Sequence, residues 1–156
     1  MGRELRMVPP DWEHPKDEKG HHIPLFCGYS DRLAEWDKYR KTHSEEEAIE
    51  WMGHRPEPEW YMPEWTPEEA THYMMYEDTS EGTPISPAFA TPEELARWLA
   101  DTGASAFADQ GASYEAWLNT IQRGYAFSAA FSLSTGMISG VEAGYLMEKD
   151  DEQTEL

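Results

Sequence analysis

The chain has 156 residues, room for one compact domain with a real core. Its 31 acidic and 12 basic side chains give a formal net charge of -19, while 39% apolar and 13% aromatic residues exclude a disordered acidic solvator. Such a field opposes binding to nucleic acid or an anionic membrane and attracts basic surfaces.

The charge is unevenly placed. Residues 1–42 hold eight basic and eight acidic side chains, so residues 43–156 carry the whole excess. The single cysteine, Cys27, excludes an intramolecular disulfide and suits a reducing compartment. The opening MGRELRMVPPDWEHP lacks the apolar stretch of a secretory signal. No apolar run approaches the ~18 residues that a spanning helix needs. The expectation is a soluble, cytoplasmic protein.

Residues 1–29 read as an extended arm, because Pro9, Pro10, Pro15, Gly20, Pro24 and Gly28 punctuate them too closely for a helix. Ser30 then reads as the N-cap of a helix with Leu33 and Trp36 on one stripe. Ser44 with Glu47 forms a capping box for a second helix that Gly53 ends. Its apolar residues are Ala48, Ile49, Trp51 and Met52. The two helices form either one bent rod or an αα-hairpin.

Residues 54–66 are a Pro/aromatic/acidic loop. Pro56, Pro58 and Pro63 forbid regular structure, and Trp60, Tyr61, Met62 and Trp65 alternate with Glu57, Glu59 and Glu64. The motif TPEE occurs twice, at Thr66–Glu69 and Thr91–Glu94, each with a Thr cap, Pro at the first position and acids behind it. The first predicts a single turn before a strand, His72 to Glu77. The second predicts a helix bearing Leu95, Trp98 and Leu99 and stopping at Gly103.

Between them lies Glu77 to Phe89, EDTSEGTPISPAF, long for a simple connection. It reads as a rigid recognition or packing loop. Ser113 caps a further helix that Gly124 ends. Beyond it, Phe127, Phe131 and Leu133 read as buried, Gly136 and Gly140 as turns, and Ser139 to Met147 as a short helix. Residues 148–156 read as a frayed acidic tail. The elements together predict a helix-dominated α+β fold, a single domain over residues 1–147 with at most a small sheet.

Chemistry finds little footing. Neither GxxxxGK[ST] nor GxGxxG occurs, so no nucleotide cofactor is indicated. His21, His22 and Cys27 lie close in sequence, but zinc ordinarily requires a second regularly spaced Cys/His pair, and none exists. Glu77, Asp78 and Glu81 lack the alternating oxygen ligands of a calcium loop. Cys27 has no flanking signature of an activated nucleophile. No catalytic residue, metal or cofactor is therefore assigned.

The stretches MGRELRMVPPDWEHP, THYMMYEDTSEGTPISPAFATPEELARWLADTGASAF and SYEAWL resemble a family of small proteins of tailed bacteriophages and prophages, which open with GRELRxVPxxWEHP and share a SEGTPISP–TPEELARWL core. The resemblance implies a phage origin and supplies no catalytic residues.

Acidity, aromatic content and phage resemblance lead to one expectation: a non-enzymatic protein that binds and inhibits a host protein bearing a basic, nucleic-acid-binding surface, in the cytoplasm of the infected bacterium. A host-defence inhibitor, such as an anti-CRISPR or anti-restriction protein that mimics nucleic acid, is the sharpest form. Glu45, Glu46, Glu47, Glu50, Glu57, Glu59, Glu64, Glu68 and Glu69 are its candidate contact charges, with Trp60, Tyr61 and Trp65 as aromatic anchors. The alternative is an adaptor that recognises its partner through Ser80, Glu81, Gly82, Thr83, Pro84 and Ser86.

Overall fold

A computed structural model describes residues 2–78, 80–127, 129–132 and 136–154. The fold is α+β and helix-dominated, and the chain groups into two compact units, Pro24–Glu64 and the remainder.

In the larger unit, β1 (Gly2–Val8) pairs antiparallel with β2 (His72–Glu77) on one side and β4 (Tyr125–Phe127) on the other. β3 (Thr83–Pro84) extends the sheet beyond β2, giving the order β3-β2-β1-β4. The extended arm thus begins as an inner strand of the sheet. Pairing Leu5 with Met75 and Arg6 with Met74 assigns the two faces, since side chains alternate along a strand.

The face bearing Leu5, Tyr73 and Met75 is covered by α3 (Pro92–Asp101), α4 (Tyr114–Arg123) and α5 (Gly140–Thr154) through Leu95, Leu99, Trp117, Ile121 and Val141. The other face, with Arg6, Met74 and Tyr76, carries Trp12 and His14 of the residues that follow β1.

The helix starts follow their caps. Thr91 accepts the Glu94 N–H and Ser113 accepts the Ala116 N–H, each satisfying a first-turn donor that has no partner inside the helix. Gly124 ends α4 at φ 90°, a left-handed conformation that costs glycine nothing.

After Gly124 the expected helix Ser139 to Met147 is found as the first half of α5, but the expected turns at Gly136 and Gly140 are not. Gly136 lies in strand β6 (Gly136–Ser139), paired with β5 (Ala129–Ser132), and Gly140 starts α5. Residues 148–154 of the acidic tail continue α5. The expected burial of Phe127, Phe131 and Leu133 concerns side chains outside the described residues, as do Glu155 and Leu156 of the tail.

The long loop is mostly sheet edge. Glu81 and Gly82 take positive φ in a tight turn, and β3 returns along β2. Ile85 donates to the Met75 carbonyl, and Tyr73 and Phe89 exchange both backbone hydrogen bonds. Between these pairs the Ser86 hydroxyl accepts the Met75 N–H at 2.9 Å and donates to the Pro87 carbonyl. A side chain replaces the strand there, so residues 86–88 bulge from the edge. Pro84 and Pro87 remove two N–H donors that an added strand would use.

In the smaller unit, α1 (Tyr29–Arg40) and α2 (Glu45–Met52) form the αα-hairpin rather than a bent rod. Trp36 donates its indole N–H to the Gly53 carbonyl at 2.9 Å, and Arg32 donates to the Met52 carbonyl at 2.8 Å. Both bonds satisfy carbonyls that the end of α2 leaves open. The Ser44–Glu47 capping box forms as expected.

Ser30, however, is not the cap of α1. The helix starts at Tyr29, after Gly28 at φ 80°. The Glu64 carboxylate accepts both the N–H and the hydroxyl of Ser30, at 2.7 and 2.6 Å. The proline-rich stretch between α2 and Glu64 contributes one 3-10 turn, Pro58–Trp60, and a short bridge between Phe26 and Tyr61.

Among the described residues, no helix is long and apolar enough to cross a membrane.

Candidate functional site

Two places in the molecule collect side chains that could meet another molecule. The first is a cleft of about 770 Å³ beside the sheet edge, within the size range of ligand sites. One wall comes from Trp12, His14 and Lys16, the other from Pro84, Ile85 and Pro87. WEHP (Trp12–Pro15) and TPISP (Thr83–Pro87), far apart in sequence, face one space.

The floor is a buried polar network. His14 Nε2 lies 2.6 Å from the Ile23 carbonyl, which can only accept, so that nitrogen carries the proton. Nδ1 is then an acceptor, and the Tyr76 hydroxyl donates to it at 3.0 Å. The Trp12 indole N–H donates to the Tyr76 oxygen at 3.1 Å. The Arg6 guanidinium, itself paired with Glu4, stacks 4.5 Å from the Tyr76 ring centre.

With both His14 nitrogens and the Ser86 hydroxyl occupied, the cleft presents Glu13, Lys16 and His22 as its exposed polar side chains. Burial pushes His14 below the usual histidine range. The Ile23 carbonyl opposes this, and neighbouring His22 and Arg6 add to it. Burial and nearby Lys16 lower His22.

A folded-state pKa below the unfolded value of about 6.5 means that the unfolded chain binds the proton first. The stability held by neutral His14 is complete above that value. It is lost as pH falls through it towards the lower folded value. Urea unfolding between about pH 7.5 and 5 should show stability rising with pH, with a smaller slope in His14→Gln. Equal slopes would remove His14 from this role.

The second place is residues 24–64, which hold ten acidic and five basic side chains. Glu45, Glu46, Glu50, Glu57 and Glu59 are exposed here. A hydrogen bond with Glu59 raises the Glu57 carboxyl, so two carboxylates lie in contact on the turn at Pro58. Glu47 is spent in the capping box. Glu64 caps α1, and its two bonds from Ser30 hold its carboxyl below the usual range. Glu68 and Glu69 belong to the other unit, where the Thr66 hydroxyl donates to Glu69.

The aromatic anchors divide similarly. Trp60 is exposed, but Tyr61 packs against Phe26 and Tyr29. Trp65 sits edge-on to Trp12, 4.9 Å away, in the larger unit.

The anchor that sequence reasoning passed over is Trp51, which is 78% exposed. Counted with the apolar residues of α2, it lies about 60° around the helix from Ala48 and about 100° from Met52. A helical wheel carries that signal. Glu47 stands one turn before it and Glu50 beside it.

In the proposed recognition loop, Gly82 and Ser86 are buried, Ser80, Thr83 and Pro84 are half-buried, and Glu81 alone is exposed. Its contribution to a surface is therefore the bulge at Pro87 and Ala88 that walls the cleft. Among the described residues, no group of three or more His, Cys, Asp or Glu side chains is placed to hold a metal ion. Comparison with known proteins gives no match to a family model, a curated protein or a solved structure.

Proposed function

We propose that this chain is an acidic phage protein that binds a basic, nucleic-acid-binding surface of a host protein and blocks it, acting in the cytoplasm of the infected bacterium as a host-defence inhibitor. The observation that carries the reading is Trp51. A tryptophan 78% exposed contributes little to the core of its own chain, and here it stands one turn after Glu47 and next to Glu50 on a capped helix that also carries Glu45 and Glu46. Interface energy concentrates in such aromatics, while surrounding carboxylates steer a cationic partner and set its register.

The test is capture of the partner from a host lysate, followed by its affinity at rising salt. Affinity falling steeply from 50 to 300 mM salt, with displacement by duplex DNA or RNA, is the expected result. Binding unchanged across that range would remove the mimic.

A second reading, an adaptor that recognises its partner through the cleft, is favoured by the convergence of WEHP and TPISP on one space. Under it, Lys16→Ala would weaken capture more than joint replacement of Glu45, Glu46 and Glu50 by glutamine.

A further inference from the structure

Arg97 and Trp98 of α3 line a second groove together with Phe89 and Tyr114. Trp98 lies beside Phe89 with ring centres 6.0 Å apart, and Arg97 places its guanidinium 4.0 Å from the centre of the Tyr114 ring. The groove between them has a volume of about 700 Å³, and Glu93, Glu94 and Asp101 stand on its rim. We propose that this groove docks an arginine side chain of a basic partner protein.

The chemistry is already present within the molecule. An aromatic face attracts a cation within about 6 Å of its centre, and a planar guanidinium also stacks on it. Arg97 shows that Tyr114 takes this partner. Three carboxylates against one guanidinium leave the rim with an excess of negative charge. Arg97 is loosely held, because its contact with Asp101 spans 4.0 Å and both side chains are more than half exposed. An incoming guanidinium can therefore stack in its place on Tyr114 or beside it against Trp98, within reach of the carboxylates. Lysine, a strongly hydrated point charge, would fit less well.

The inference shares with the proposed function only the expectation of a basic partner. Its residues lie on α3, α4 and the end of the β3 hairpin, outside residues 24–64.

The test titrates the full-length, nitrogen-15-labelled chain with the capped peptide acetyl-Gly-Arg-Gly-Arg-Gly-amide and with its lysine counterpart. The indole resonance of Trp98, identified by its loss in Trp98→Phe, is the reporter. Saturable shifts with the arginine peptide, binding about fivefold tighter in Arg97→Gln and about fivefold weaker in the triple variant Glu93→Gln/Glu94→Gln/Asp101→Asn are expected. Arg97→Lys, which keeps the charge and loses the plane, should fall between wild type and Arg97→Gln.

The inference is overturned if the Trp98 resonance does not move or if Arg97→Gln and Arg97→Lys bind as wild type does. It is also overturned if joint replacement of Glu45, Glu46 and Glu50 by glutamine weakens the peptide as much as the rim variant, since attraction would then be diffuse. A host partner lost by Trp51→Ala but held fully by the rim variant would overturn this inference and leave the proposed function standing.

Discussion

Trp51→Ala is expected to weaken capture of the host partner by about 30-fold or more, the loss of about 2 kcal/mol or more that marks an interface hot spot. Its thermal midpoint should stay within about 2 °C of wild type. The two expectations follow from one fact, the 78% exposure of the indole. Little of the ring is removed from water in the chain itself, so truncation leaves no cavity, and alanine favours helix more than tryptophan does.

An interface that buried the ring would make it the main apolar contact of α2. The four glutamates among the six residues before it would supply attraction and orientation. Affinity of Trp51→Ala within twofold of wild type, measured by calorimetry with the captured partner, would sink the reading. A matching fall in stability would instead mark Trp51 as a packing residue.

The second large effect concerns Tyr76, which is fully buried and joins the two faces of the cleft floor. Tyr76→Phe keeps the ring under Arg6 and deletes one oxygen. That oxygen is both the acceptor for the Trp12 indole and the donor to His14 Nδ1. The cost of depriving two such groups of this partner is about 2–3 kcal/mol, against the ~1 kcal/mol of an ordinary hydrogen bond. For a chain of this length the midpoint should fall by roughly 5–10 °C. Trp12→Phe, which removes one donor and leaves the Tyr76–His14 bond, should cost less. If the two variants lose equal stability, the network carries no more than its outer bond.

The two predictions separate the halves of the molecule. Tyr76 and His14 hold the floor of the cleft with groups that are already satisfied, so the cleft has polarity to spare only at Glu13, Lys16 and His22. Trp51 is left largely in water, and of the glutamates on its helix only Glu47 is engaged, in the capping box. Physical economy of partners distinguishes a structural polar cluster from a surface awaiting one, because a buried polar group left unpaired costs free energy and an exposed aromatic ring gains it on burial.

Local grammar was legible in the sequence. Thr91, Ser44 and Ser113 cap their helices through contacts three residues away, so neighbours in the chain were enough to place α2, α3 and α4. The strand His72 to Glu77 was likewise bounded by a proline-started turn before it and a glycine-containing turn after it.

What only tertiary structure decided involves partners far apart in sequence. Glu64 replaces Ser30 as the group that satisfies the start of α1, across 34 residues. Ser86 replaces a strand by accepting the Met75 N–H, which makes the long loop a sheet edge. Residues 2–8 become an inner strand because β2 and β4, some 70 and 120 residues on, supply hydrogen bonds on both sides. Exposure is decided in the same way. Tyr61, Trp65 and Trp51 are equally aromatic in the sequence, but only neighbours brought by folding half-bury the first two and leave the third in water. Capping and turn chemistry act within a few residues, whereas burial and pairing depend on chain segments that meet only when the molecule closes.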